Sequence, residues 1–179
     1  RTTPSTSRTS VPGQEPMPVA VVTWRGYRPP FPSRAKGVHH IPRLMILGNF
    51  AAQRGWRPDE LTDWYHRSFV DGYDWVMVPN VVGMSQHADL GIMATKPYVA
   101  GGAYLNTMTN YCGGCRFDPK IRVGDDACPF TAGYWWYLSR NRARLQGNSR
   151  MIRALEGLDR LRDLDEVVAQ EQRRRSSPP

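Results

Sequence analysis

The sequence predicts a mostly α-helical fold, and three observations support this expectation. Strand signals are nearly absent, since the one short β-like run, residues 19–24, leads into proline-rich sequence that favours no regular element. Pro58 opens a helix-like segment with Asp59 and Glu60 in its first turn, where the helix dipole favours acids. Apolar residues then recur at helical spacing on one face of that segment, at Leu61, Trp64, Tyr65 and Phe69.

Five helical segments are predicted after residue 38. They are expected at residues 41–54, from Pro58 onward, at residues 103–108, at residues 130–145 and at residues 165–174. Residues 78–102 are expected to be loop-rich, because they contain few helix-compatible runs.

Three regions differ in composition. Residues 1–37 are predicted to be disordered, since their first half is Ser, Thr, Pro and Gly with almost no apolar content to offset chain entropy. An Arg/Ser-rich start also resembles a transit peptide, but no amphipathic helix follows it. Residues 38–165 are expected to form the folded domain, and residues 166–179 a helical basic tail.

The net charge of +8 does not by itself indicate nucleic-acid binding. Residues 1–37 carry +5, residues 38–165 carry +2 and residues 166–179 carry +1, so most of the excess lies on the two ends, where solvated tails are the simplest interpretation. No run of eighteen apolar residues and no signal peptide are visible, which favours a cytoplasmic protein without a membrane partner.

The three cysteines suggest metal or redox chemistry. Cys112 and Cys115 form a C-x2-C pair, and Cys128 follows with twelve residues between it and Cys115, directly before Pro129. Such a turn points two thiolates at one ion, as in zinc and iron–sulfur sites, whereas a reduced thiol pair in a loop remains the alternative. A fourth ligand would have to come from a partner chain or from His39, His40, His66 or His87.

Several motifs between residues 38 and 164 are more specific than spacing alone. They read HHIPRLMILGNF, DWYHRSFVDGYDWVMVPNVVGMSQHAD, KPYVAGGAYLNTMTNYCGGCRFDPK and DDACPF. In unbroken order they resemble the iron–sulfur bacterial photolyases and cryptochromes, also called deoxyribodipyrimidine photolyase-related proteins, whose characterised members repair (6-4) photoproducts in DNA.

The resemblance implies the C-terminal half of the helical FAD-binding domain of the photolyase/cryptochrome fold. Cys112, Cys115 and Cys128 would be three of the four ligands of a 4Fe-4S cluster. In this family the fourth cysteine lies upstream of the His-His pair, where this chain has proline- and arginine-rich sequence. The chain is therefore expected to derive from a truncated or disrupted photolyase gene, with residues 1–37 outside the family sequence.

The resemblance also implies catalytic residues. His40 would donate a proton to the damaged base, with His39 beside it, and imidazole suits this role because its pKa lies near working pH. Tyr98 would line the lesion pocket, where an aromatic face can hold a flipped base. Without the resemblance, the two histidines would be read as helix-capping or packing residues.

Cofactor-binding residues follow in the same way. Arg43 and Asp71 would flank the isoalloxazine of FAD, the arginine stabilising the anionic reduced flavin and the carboxylate orienting the arginine. Met77 would face flavin N5, where many relatives carry a polar side chain. The remaining positions are Asn80, Met84 and Lys96 in the surrounding loops, and Trp64 and Tyr65 as steps of an electron-transfer route, although a core helix would use the same two aromatics.

The function expected from the resemblance is part of a light-dependent DNA repair flavoprotein, with UV-damaged DNA as substrate. The chain is expected to be inactive alone, because it would present an open half-cavity with exposed apolar side chains toward a missing upstream half. The alternatives are a small zinc-binding module that contacts nucleic acid and an unstable remnant with no activity.

Overall fold

The computed structural model describes residue 41, residues 43–89 and residues 91–176, and this part of the chain is mostly helical and has no β-strand, as predicted. Its α-helices are α1 (Asn49–Arg54), α2 (Pro58–Ser68), α3 (Asp74–Met77), α4 (Gly102–Met108), α5 (Pro129–Arg140), α6 (Arg142–Leu145), α7 (Ile152–Asp159) and α8 (Leu164–Ser176). Two π-helical segments precede α1 and follow α3, at Arg43–Gly48 and Val78–Ser85. The expected disorder of residues 1–37 lies outside the described residues.

Helix α2 begins where the sequence predicts. Pro58 occupies its first turn together with Asp59 and Glu60, and the helix buries Leu61 and Tyr65. No helix within the described ranges is long and apolar enough to cross a membrane.

The buried apolar residues form two clusters that meet at α1. One cluster contains Ala51, Trp56, Leu61, Tyr65, Met77 and Val81. The other contains Ala52, Tyr137, Leu138, Leu145, Met151, Leu155 and Leu158. Because Ala51 and Ala52 of α1 belong to different clusters, this short helix lies between the two clusters and contacts both.

Two amide side chains of α1 connect it to distant parts of the chain. Gln53 donates through Nε2 to the carbonyl oxygens of Ala100 at 2.9 Å and Phe130 at 3.2 Å. Asn49 donates to the Ala100 carbonyl at 2.9 Å and accepts from the Ala100 N–H at 3.1 Å. Both side chains are almost fully buried, and their hydrogen bonds satisfy backbone groups of the segments that they connect.

A buried ion pair attaches the C-terminal helix to α1. Arg54 Nη2 lies 2.7 Å from Glu171 Oε2, and the two side chains are 5% and 0% exposed. Glu171 also pairs with Arg174 at 3.0 Å, and Arg174 donates to the Ala127 carbonyl at 3.1 Å. Burial lowers the pKa of Arg54, and the charge of Glu171 opposes that effect.

The helical basic tail expected at residues 166–179 is helical over its described part, but α8 is packed rather than solvated. Val167 and Glu171 are both 0% exposed. Net charge does not reveal the packing of α8, because it does not show that Glu171 is buried and paired with Arg54 and Arg174.

The expectation of a loop-rich stretch over residues 78–102 was wrong at its start. Val78–Ser85 is helical, with Pro79 tolerated at its beginning. Val81 and Ser85 are buried, and a Cβ atom at Gly83 would lie 2.7 Å from Met93 Cγ. Tertiary packing thus overrides the low helix propensity of the segment.

Two further helix boundaries differ from the prediction. The segment expected at residues 130–145 divides at Asn141, whose side chain donates to the Tyr137 carbonyl at 2.9 Å and competes with the helical backbone. Helix α7 was not predicted, although Leu155 and Leu158 bury one face of it. The first predicted segment ends at Arg54 as expected, but its beginning, Arg43–Gly48, is π-helical.

We expect Glu171→Ala to lower the free energy of unfolding by about 3–5 kcal/mol, because it leaves Arg54 buried without its counter-charge. Urea unfolding followed by circular dichroism measures this change. The matched control is Glu166→Ala, an exposed acid of the same helix, with an expected change below about 0.5 kcal/mol. Equal effects of the two substitutions would show that the buried pair does not anchor α8.

Candidate functional site

Arg43 and Asp71 form an ion pair at the edge of the first core cluster. The distance from Arg43 Nη1 to Asp71 Oδ1 is 2.6 Å, and the two side chains are 9% and 54% exposed. The guanidinium lies over the ring of Phe69, 4.0 Å from its centroid. The hydroxyl group of Tyr65 in α2 donates to the Arg43 carbonyl at 2.9 Å, so α2 holds the backbone of the arginine while Phe69, directly after α2, contacts its side chain.

One hydrogen-bond donor of the Arg43–Asp71 pair has no partner among the described residues. Burial raises the pKa of Tyr65, which keeps its hydroxyl protonated as a hydrogen-bond donor. Within the described residues, the buried Nε of Arg43 has no hydrogen-bond partner. A buried donor without an acceptor is costly, and an acceptor on a ligand would satisfy it.

Exposed apolar side chains flank the ion pair in sequence. Ile41, two residues before Arg43, is 53% exposed, and Val70, directly before Asp71, is 99% exposed. Further along are Tyr73, Trp75 and Val78, which are 57%, 78% and 50% exposed. Exposed apolar side chains thus lie along the chain on both sides of the ion pair.

The predicted electron-transfer residues belong to an aromatic cluster next to Arg43. The ring centroid of Trp64 lies 5.2 Å from that of Tyr65 and 5.9 Å from that of Phe69. Since Phe69 also contacts the Arg43 guanidinium, the aromatic contacts run from partly exposed Trp64 to the ion pair. Phe69 was read from the sequence only as part of the helix stripe.

The other predicted cofactor residues differ in how deeply they are buried. Met77 is buried in the first core cluster at 3% exposure. Asn80 donates to the Val76 carbonyl at 2.6 Å, and Met84 is partly buried. Lys96 and Tyr98 are exposed on the segment that leads to Ala100.

His39 and His40 lie outside the described residues. Their predicted roles therefore stay predictions. The closest described residues in the chain are Ile41 and the beginning of the π-helical segment at Arg43.

The three cysteines come from a turn and a helix start. Cys112 lies in the 3-10 turn Tyr111–Gly114, and the N–H of Cys115 donates to its carbonyl at 3.2 Å. Cys128 directly precedes α5, and its N–H donates to the Ile121 carbonyl at 3.0 Å. Cys112 is partly buried, Cys115 is exposed and Cys128 is buried.

Burial and the two other cysteines affect the Cys112 thiol. The pKa of Cys112 is raised first by burial and then by the negative charge of Cys128 and Cys115. Nevertheless, no three His, Cys, Asp or Glu side chains in the described ranges are arranged so that they could hold a metal ion. The three sulfur donors alone do not complete a zinc or cubane site, which needs four ligands.

Gly102 fixes the position of the Cys128 thiol, a role that the sequence did not reveal. A Cβ atom at this position would lie 2.7 Å from Cys128 Sγ and 2.7 Å from Thr131 Oγ1. The Gly102 N–H donates to Thr131 Oγ1 at 3.0 Å, which joins the start of α4 to α5. The Gly101-Gly102 pair in the sequence was the only available signal.

Comparison with known proteins supports the resemblance to photolyases. Over 113 residues, 63% of the chain, the sequence is 55% identical to a (6-4) photolyase of Agrobacterium fabrum. Over 66 residues, 37% of the chain, it is 38% identical to the uncharacterized protein R855 of Acanthamoeba polyphaga mimivirus. No family model matches the chain.

These matches cover only part of each relative. The chain spans 22% of the length of the photolyase and 54% of the length of the mimivirus protein. Most of the photolyase therefore has no counterpart in these 179 residues.

We expect Gly102→Ala to lower the free energy of unfolding by about 1–3 kcal/mol, because the added methyl group overpacks the Cys128 site. It should also expose the Cys128 thiol, so its reaction with a thiol reagent becomes faster. Gly113→Ala is the control, since a Cβ atom there would meet nothing within 4 Å. Unchanged stability and thiol kinetics in Gly102→Ala would contradict the assigned role.

Proposed function

We propose that this chain forms the flavin-facing, cysteine-containing part of a light-driven DNA repair enzyme of the iron–sulfur (6-4) photolyase type. The observation that carries the proposal is the 55% identity to a (6-4) photolyase over 113 residues. In this reaction class FAD, when bound, supplies the electron that splits the lesion, and the protein supplies binding, orientation and electrostatics.

The Arg43–Asp71 pair has the properties that one edge of a flavin site needs. Its guanidinium is buried against Phe69 and has an unsatisfied donor at Nε, which suits an acceptor atom of an anionic ring. Asp71 holds the guanidinium at 2.6 Å and prevents its rotation. The exposed apolar residues beside the pair provide the surface against which an upstream part of the protein closes the cavity.

The remaining roles are proposed by the same resemblance. His40, with His39 beside it, donates a proton to the lesion, and Tyr98 contacts the flipped base. Met77, Asn80, Met84 and Lys96 support the flavin, and Trp64 and Tyr65 carry electrons toward it. Cys112, Cys115 and Cys128 provide three thiolates of a 4Fe-4S cluster, whose fourth cysteine is supplied from sequence outside these 179 residues.

We expect the 179-residue chain alone to show no light-dependent repair of a (6-4) photoproduct above a control with free flavin. A half-cavity leaves the flavin in water, and the loss of positioning costs orders of magnitude in rate. A hybrid in which residues 38–165 replace the matching segment of the Agrobacterium photolyase should bind FAD and iron and repair the lesion under blue light.

Substitutions within the hybrid test the site. Asp71→Asn should weaken repair about 10- to 100-fold, because a hydrogen bond between charged groups is lost. Asp63→Asn is the matched control, since this carboxylate is exposed on α2. Repair by the chain alone would overturn the expected inactivity. A hybrid that binds zinc in place of iron, shows no flavin colour and fails to repair would overturn the proposed function.

A further inference from the structure

A cavity of about 520 Å³ lies between the chain after Val78–Ser85 and the connection from α6 to α7. Its polar lining includes His87, Thr95, Arg144, Asn148, Ser149 and Arg150. None of the described residues that line it is acidic. Apart from His87, which the sequence offers as a possible fourth metal ligand, none of these lining residues is among those proposed for the flavin or the cluster.

His87 forms a strained wall of the cavity. Its φ angle is 49°, a left-handed conformation that is uncommon outside glycine, and the residue is 7% exposed. Its buried Nδ1 has no hydrogen-bond partner within the described residues. Strained residues of this kind persist where the surrounding structure holds them, and they concentrate at ligand sites.

The opposite wall is held in place by hydrogen bonds. The Arg144 guanidinium donates to the His87 carbonyl. Asn148 donates to the Thr95 carbonyl at 2.8 Å and accepts from the Arg150 N–H at 3.0 Å. The space beside Gly147 is open, since a Cβ atom there would meet nothing within 4 Å. Hydrogen bonds therefore hold the Arg144 and Asn148 side chains in place at the cavity.

The charges at the cavity favour an anion. Arg144 and Arg150 are both exposed and carry the positive charge of the lining. The nearby acid is Asp89, whose carboxylate already accepts from the N–H groups of Gly91 at 3.0 Å and Met93 at 2.7 Å. Burial and the charge of Arg144 lower the pKa of His87, against a smaller opposing effect of Asp89, so the imidazole is neutral near pH 7.

We propose that this cavity binds a phosphate group. Arg144 and Arg150 supply two guanidinium groups, the donors best suited to phosphate oxygens, and the hydroxyls of Thr95 and Ser149 add neutral donors. The group could be a phosphodiester of a DNA strand or a free phosphate. The assignment of the phosphate to a DNA strand rests on the proposed function. Thr95 directly precedes Lys96 and lies three residues before Tyr98, and both of these residues have proposed roles in repair. The phosphate site itself does not depend on it.

The test follows the His87 ring by NMR in the full 179-residue chain. His87→Asn identifies its signals and tolerates the left-handed backbone, which asparagine adopts readily. Inorganic phosphate should shift these signals and raise the pKa of His87, because a bound anion stabilises the imidazolium. Arg150→Glu should weaken this effect at least about tenfold, since it removes a charged donor. Arg162→Glu causes the same change in net charge at an exposed arginine outside the cavity lining, and it should leave the effect intact.

The possible results distinguish the existence of the phosphate site from the source of the phosphate group. Absence of any phosphate-dependent shift at His87, or equal losses in Arg150→Glu and Arg162→Glu, would overturn the proposal. A short DNA duplex that shifts the same signals and is displaced by phosphate supports a phosphodiester as ligand. If the His87 signals respond to phosphate but not to DNA, the phosphate site is supported and DNA is rejected as its ligand. Failure of light-driven repair in the hybrid would leave the phosphate response unchanged.

Discussion

The amide side chain of Gln53 joins three parts of the molecule that are far apart in sequence. It is fully buried, and its Nε2 donates to Asn49 Oδ1 at 3.1 Å as well as to the Ala100 and Phe130 carbonyls. A Cβ atom at Gly133 would lie 2.5 Å from Gln53 Oε1, so α5 can approach α1 only with glycine at that position. Removing this amide would break the bond to the Phe130 carbonyl and leave the Ala100 carbonyl with Asn49 as its remaining side-chain donor, which weakens the connection between α1, Ala100 and α5.

This network relates the two candidate sites to each other. Arg43 begins the segment that continues into α1, and Cys128 directly precedes α5, one of the helices that Gln53 contacts. Ala100, held by Asn49 and Gln53, lies two residues after Tyr98 and two before the glycine that packs on Cys128. The Arg43–Asp71 ion pair and the Cys128 thiol are thus both connected, through α1 and α5, to the buried amide of Gln53.

The sequence predicted the elements whose signals are local. Pro58 with its acidic first turn and apolar stripe specified α2, and the C-x2-C pair lies at the 3-10 turn Tyr111–Gly114, a turn that its spacing suggests. It did not predict the helical Val78–Ser85, because the local helix propensity is low and the burial of Val81, Gly83 and Ser85 depends on tertiary packing. Long-range polar contacts were also invisible. Gln53 and Glu171 look like ordinary surface residues in sequence, and the pairing of Arg43 with Asp71 was expected only from the resemblance to photolyases.

Amide hydrogen exchange tests most directly whether Gln53 holds these parts together. Gln53→Met keeps the length of the side chain and removes its hydrogen bonds, with Gln172→Met, an exposed glutamine of α8, as the control. Exchange of the Ala100 amide, which is bonded to Asn49, and of the Cys128 amide should accelerate together, whereas α7 should be unaffected. Acceleration confined to α1, or no change in either distant amide, would contradict the account.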